Sequence, residues 1–360
     1  MERFPNTARL NHILLALLCI GFFSGLIGLS PPYARAQHEI DSETWIEMRK
    51  MLRHKGPAPT IEENIAALAG PDAKRAGPRL IDQGPAALAA VHSALGSAEF
   101  NPLQAQRLLQ VLRSIGDKTS VPVVLEILKN KSLLRRDSLL VLAYLPATEK
   151  AAAYMVNLAA KTNEPWPTYR MSFTWFGLHR DPRGRPFAEQ LRTDPDPEKR
   201  SAALFVLARL GDKSVLEPVS ELLASGPPPN SRDILMYSLA EITTPGEFEK
   251  RAPSSLTWSR GYKDALLYAR YRAAGPQEKI SLSLQMLRSQ MPGLRETGVN
   301  YLLENGHAKD LRPYAAVSLE VPGLDAVIRN DIRKAGWRII DTDTEFSIVP
   351  ADSAKARPRF

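Results

Sequence analysis

Downstream of the first 36 residues the chain carries five histidines, His38, His54, His92, His179 and His307, the side chains best suited to ligate a metal or move a proton near neutral pH. None stands in a His-x-x-x-His or His-x-x-Glu arrangement that would put two donors on one helix face. His38-Glu39 is a single His-Glu pair, where a metal needs several donors, so no metal site is expected. The chain has one cysteine, Cys19, which excludes an internal disulfide, a multi-cysteine zinc site and an iron–sulfur centre. It has no Gly-x-Ser-x-Gly elbow, no phosphate-cradling Gly-x-x-x-x-Gly-Lys loop and no Gly-x-Gly-x-x-Gly turn, so no cofactor is expected. The acidic pairs Asp194/Asp196 and Asp341/Asp343 could do acid–base work, but their places at helix edges suit capping and turn roles.

The residues that remain are suited to recognition. One group gathers Trp166, Tyr169, Trp175, His179, Arg180, Arg183, Arg185 and Arg192; a second gathers Trp258, Arg260, Tyr262, Tyr268, Arg270, Tyr271 and Arg272. Arginine and tryptophan are enriched at interaction hot spots. Some of these rings fall at core spacing, as Tyr169, Phe173 and Phe176 do, so part of each group is expected to be buried. The partner-binding candidates are Trp166, Trp175, His179, Arg180, Arg183, Arg185, Arg192, Trp258, Arg260 and Tyr262.

The elements that position them are helices in tandem. Ala203, Leu204, Leu207, Ala208 and Leu210 follow helical spacing, Gly211-Asp212 interrupts it, and Val215, Val219, Leu222 and Leu223 resume it. Helix, tight turn, helix is therefore the unit. Its turns recur at Gly84, Gly116, Pro146, Gly211, Thr243, Gly275 and Gly306, in steps of 30–32 residues with one double step of 65. The unit inside the double step lies at 164–193 and turns near Arg180–Pro186. A further pair is expected at Ser42–Lys55 and Thr60–Ala69, and a last helix at Ala335, Gly336, Ile339 and Ile340 before Asp341. About nine or ten such units make an all-α solenoid over residues 37–349, with no alternating β pattern longer than Glu345–Val349, and 350–360 is expected to be a disordered, basic C-terminal tail. Stacked at roughly 8–10 Å per packed helix, they predict a rod of about 80–90 Å with polar end caps.

This pattern resembles the HEAT-repeat family, in particular the HEAT-like repeats of phycobilisome lyases. The residues that carry the resemblance are the Arg200, Ala203 and Leu207 face, the Gly116-Asp117 and Gly211-Asp212 turns, and Pro122 and Pro218 early in second helices. It covers roughly residues 40–345. Architecture is what the resemblance implies; the lyase activity belongs to a few members of the family. Tetratricopeptide repeats have a similar period, but their Trp-Leu-Gly-Tyr and Ala-Phe-Pro positions are not present.

Residues 1–36 read as a secretory signal. Arg3 and Arg9 precede an apolar run from Ile13 to Leu29, followed by Pro31-Pro32 and Ala34-Arg35-Ala36. An uncleaved anchor at 13–29 is the alternative. Cleavage before Gln37 removes Cys19 and lowers the net charge from +8 to about +6. An exported chain with charges of both signs interleaved is not expected to bind nucleic acid. The expectation is a non-enzymatic periplasmic scaffold whose partner is an envelope protein, or else an anionic envelope component. The alternative is an enzyme or small-ligand binder with a groove near residues 166–192, and whether Arg180, Arg183 and Arg185 converge on one cavity or splay into solvent discriminates the two.

Overall fold

The computed structural model describes residues 59–97, 101–161, 164–257, 259–289, 291–311, 314–315, 324–341 and 346–351. The signal region, the segment 42–55 and residues 352–360 of the tail lie outside them. Helices dominate, and their stacking makes an all-α solenoid that ends in one β-hairpin. A capping box opens α1 (Ile61–Ala67): the Glu63 N–H donates to Thr60 Oγ1 at 3.1 Å, and the Thr60 N–H to Glu63 Oε2 at 2.8 Å.

Seven helix pairs follow. They are α2 (Ala73–Gln83) with α3 (Leu88–Gly96), α4 (Pro102–Ile115) with α5 (Val121–Asn130), α6 (Arg135–Tyr144) with α7 (Glu149–Ala159), and α8 (Trp166–His179) with α9 (Arg185–Leu191). Then come α10 (Pro197–Arg209) with α11 (Leu216–Ala224), α12 (Pro229–Ile242) with α13 (Pro245–Arg251), and α14 (Arg260–Ala273) with α15 (Pro276–Met286). Beyond them stand α16 (Pro292–Glu304) and α17 (Leu324–Lys334).

The turn chemistry repeats. Gly116 and Gly211 take positive φ (65° and 81°), the left-handed conformation that stops a helix and that glycine adopts without strain. The aspartate after each accepts a backbone N–H two residues on: Asp117 from Thr119 at 2.7 Å and Asp212 from Ser214 at 3.0 Å. In the irregular unit Asp181 does the same with the Arg183 N–H at 2.9 Å, which fixes its turn at Arg180-Asp181. Arg180 thus occupies the glycine position, with φ 51°, and is the one non-glycine residue at positive φ among those described.

First helices pack on first helices: α2 on α4, α4 on α6, α6 on α8, α8 on α10, α10 on α12 and α12 on α14. The second helices α9, α11 and α13 instead lie against the first helix of the following unit. Such crowding of one row and spreading of the other is what curvature does to a two-layer stack, so the first helices lie inside the bend. At its middle α10 is buried all round over two turns. Ser201 through Ala208 on α10 are all buried, and a Cβ built on Gly177 of α8 would lie 2.1 Å from the Phe205 ring.

Two expectations fail at the C-terminal end. The residues read as a last helix form a hairpin instead, β1 (Trp337–Asp341) antiparallel to β2 (Phe346–Pro350), with Ile339 opposite Ile348. Gly336, at φ 80°, ends α17, and Ile339 and Ile340 are β-branched residues that favour a strand. Nor is the stack an open rod. Contacts pass from α14 through α15 and α16 to α17, and α17 packs on α2 and α4, so the stack closes into a circuit. Asp82 of α2 accepts Arg329 Nε at 2.6 Å and Arg333 Nη2 at 3.1 Å, and the Asn330 amide donates to the Ser114 and Ile115 carbonyls of α4 at 2.8 and 3.2 Å. On α17 itself Asp331 is buried, its Oδ2 3.8 Å from Arg295 Nε of α16.

The core has two parts. A large cluster runs from Leu68 to Leu294. A small one joins Leu287, Val299, Leu302, Leu303, Leu311, Ala315, Ile328 and Ile332, covered by Trp337, Ile339 and Ile348 of the hairpin.

Candidate functional site: an arginine–glutamate node

The first helices run side by side, so their last turns form one edge of the solenoid. Four of them meet at Glu241, in the last turn of α12. Its side chain is only 6% exposed, yet both carboxylate oxygens are satisfied. Arg180, just after α8, gives Nη2 to Oε1 at 3.0 Å. Arg209, the last residue of α10, gives Nη1 to Oε2, where the Tyr268 hydroxyl of α14 also donates at 3.0 Å. Arg209 Nε reaches back to the Gly177 carbonyl at 3.1 Å. Arg272 of α14 donates Nη1 to the carbonyls of Ala240, at 2.8 Å, and Glu241, satisfying groups left free by the end of α12.

Two guanidiniums and a phenol therefore hold one buried carboxylate, and a third guanidinium caps the backbone beside it. With both Glu241 oxygens occupied by donors and the arginines permanently protonated, the node offers no free base or nucleophile. It offers a fixed array of charge and one phenol, with Arg180 open to solvent at 52% exposure.

The node extends along the edge. Arg209, Glu241 and Arg272 lie 32 and 31 residues apart, the length of one unit, so they are equivalent positions on successive first helices. The same position falls on Asp82 of α2, Arg113 of α4, Tyr144 of α6 and Glu304 of α16. The Arg113 guanidinium carbon stands 5.5 Å from the centre of the Tyr144 ring, and that ring is exposed.

The residues singled out from the sequence scatter. Arg180, Arg183 and Arg185 do not converge. Arg180 turns to Glu241, while Arg183 forks onto Asp181 (Nε–Oδ1 2.9 Å, Nη2–Oδ2 2.6 Å) and reaches Glu149 at 3.0 Å. That hydrogen-bonded guanidinium holds the Asp181 carboxyl below its usual range. Arg185 pairs with Asp212 at 3.0 Å and Arg192 with Glu189 at 3.0 Å. Each of the three guanidiniums is thus held by its own carboxylate.

Trp175 is wholly buried and Tyr262 nearly so, the latter packed on Phe248 at 5.3 Å, because each lies on the apolar stripe of its helix; both belong to the core, not to a partner-facing surface. His179 packs on Trp175 at 4.8 Å, and burial pushes its pKa down. Trp166 is half-buried and donates Nε1–H to Glu198 at 3.0 Å. Arg260 gives Nη2 to the Arg288 carbonyl at 3.1 Å, and Trp258 lies outside the described residues. Arg180 from the first group and Tyr268 and Arg272 from the second do meet, at Glu241. Glu241 and Arg209 were in neither group.

The other chemistry-bearing residues are accounted for locally. His92 Nε2 lies 3.0 Å from Ser120 Oγ, with its pKa lowered by burial, and His307 Nδ1 lies 2.9 Å from Asp310. His38 and His54 are outside the described residues. Asp194 and Asp196 accept backbone N–H groups at 2.9 and 2.8 Å at the start of α10. Among the described residues no group of three or more His, Cys, Asp or Glu could hold a metal, and no helix is long and apolar enough to cross a membrane.

What this fold and node define is an all-α solenoid with a charged, aromatic edge. No protein-family model matches the chain, and no curated protein matches it.

Proposed function

We propose that this chain is a non-enzymatic, HEAT-like scaffold of the periplasm, exported by residues 1–36, that binds another protein of the envelope along the edge formed by the ends of its first helices. The observation that supports this reading is the node. Arg180, Arg209, Glu241 and Tyr268, at four successive first helices, are locked by hydrogen bonds, so a partner meets them with little conformational entropy left to lose. The half-exposed Arg180 and the Arg113–Tyr144 pair supply the residue types that dominate interfaces.

The test is crosslinking of the purified chain to envelope extract, comparing wild type with Arg180→Ala and Tyr144→Ala. The expected result is a discrete crosslinked protein whose yield falls at least tenfold in either variant. Unchanged yield in both would refute the edge as the binding surface. Intact mass of the exported protein, beginning at Gln37, checks the address.

A further inference from the structure

The other edge of the solenoid, formed by the first turns of the first helices, carries a cluster that the node does not use. Between α12 and α14 it gathers Asp233, Tyr237 and Asp264. Asp233 and Tyr237 lie one turn apart on α12, and Gly261 and Asp264 one turn apart on α14, so each pair shares a helix face. The two faces meet, because a Cβ built on Gly261 would lie 2.0 Å from Asp233 Oδ1. Only a residue without a side chain lets the Asp233 carboxylate settle there, against the first turn of α14, where the helix dipole favours it.

The polar atoms of this cluster are short of partners. Among the described residues Asp233 has no hydrogen bond or ion pair, and Asp264 has one bond, donated to Oδ2 by the Ser289 hydroxyl at 2.7 Å. Tyr237 is 9% exposed, and its hydroxyl is buried with no hydrogen-bond partner. Burial, and then the charges of Asp264 and Asp233, push that hydroxyl well above its usual range, so it stays protonated within the field of both carboxylates. The neighbouring arginines are engaged elsewhere. Arg232 turns to the Pro227 carbonyl at 3.4 Å and Arg260 to the Arg288 carbonyl at 3.1 Å. Arg260 acts on Asp264 only through its field, which leaves one of the two negative charges uncompensated. A buried hydroxyl left without a partner is costly, and a bound group that supplies the missing bond removes that cost.

We propose that this cluster is a binding site for a primary ammonium group, with Asp233 at its mouth and the Tyr237 hydroxyl at its floor. Exposure falls from Asp233, which is open to solvent, through half-buried Asp264 to buried Tyr237, as in a slot entered from one end. A primary ammonium brings one charge and three N–H donors. The slot answers with one uncompensated charge and three acceptors, an Asp233 oxygen, Asp264 Oδ1 and Tyr237 Oη. A hard divalent cation takes about six to eight oxygen ligands and is poorly served by two carboxylates. Bonds from the ammonium to the carboxylates are charge-assisted, and the bond to Tyr237 satisfies the one buried atom of the set. The same chemistry is borne by the lysine side chain of a polypeptide and by a small aliphatic amine. The slot is separate from the Glu241 node, which lies at the other end of α12.

The experiment is calorimetric titration of the full chain with butylammonium, with Nα-acetyl-lysine amide, and with butyltrimethylammonium, which carries the charge without N–H donors. The expected result is binding of the first two with a Kd of about 1 mM and binding of the third at least about tenfold weaker. Tighter binding of the acetyl-lysine amide assigns the slot to a polypeptide lysine, and tighter binding of butylammonium assigns it to a free amine. Asp233→Asn, at an exposed position, and Tyr237→Phe, which keeps the buried ring, should each weaken binding about tenfold. Gly261→Ala should do the same by displacing Asp233, whereas Arg180→Ala at the node should leave the affinity unchanged. No heat from either amine at about ten times the expected Kd overturns the site. Equal affinity for the trimethylated probe overturns the reading of its N–H donors. Wild-type affinity in folded Asp233→Asn and Tyr237→Phe proteins overturns the placement.

Discussion

The Glu241 node and the α17 junction both tie first helices together with arginines and one buried carboxylate, but they are built on different foundations. At the node the helices already share an apolar interface, including the continuously buried stretch Ser201–Ala208, and the ions complete it. Every Glu241 oxygen has a donor. At the junction the apolar clusters do not merge, and the polar groups hold alone, with Asp331 Oδ2 and Arg295 Nε unpartnered. A buried charge that is fully hydrogen-bonded rigidifies its surroundings, whereas a buried polar atom left without a hydrogen bond costs stability.

The strongest way to break this contrast is Leu207→Asp. Leu207 is wholly buried in α10, and an unpaired charge there should cost more than about 4 kcal/mol. Because neighbouring units share that interface, amide exchange in α8, α10 and α12 should accelerate together; acceleration confined to α10 would mean that the units fold independently. Glu241→Ala comes next. It leaves Arg209 without its buried partner and should cost about 3–5 kcal/mol in urea unfolding. A loss below about 1 kcal/mol would place the node on the same footing as a surface ion pair. The smallest effect is expected from Asp82→Ala. Asp82 is partly exposed, so the loss should be about 1 kcal/mol and confined to the junction, leaving the main unfolding midpoint in place.

The repeated unit was legible because its determinants are local. The Gly211-Asp212 turn and the Leu207 face lie within a few residues of one another, and Asp212 folds the turn with its own side chain. The irregular unit was harder because Arg180 stands in a conformation that normally selects glycine, held there while its side chain grips Glu241. The node left a signal in the sequence, namely residues one period apart, Arg209, Glu241 and Arg272. Nearness along the chain hides it, because Arg180 and Tyr268 are 88 residues apart. Of the hairpin, the second strand shows as alternation at Glu345–Val349, whereas the first is hidden because Ala335, Gly336, Ile339 and Ile340 fit helical spacing, and the glycine decides against the helix. Closure of the circuit has no local code. Arg329 lies 247 residues from Asp82, and where α17 arrives is the sum of small rotations at every interface before it.

That closure bears on how the array can change in length. An open stack of repeats gains or loses a unit at either end, or in the middle, for the energy of that unit and its neighbours. Here a unit inserted between α6 and α14 would carry Arg329 and Arg333 past Asp82, and one removed would leave them short. The number of repeats is therefore part of the fold, set by the places where α17 must meet Asp82 of α2 and the Ser114–Gly116 end of α4.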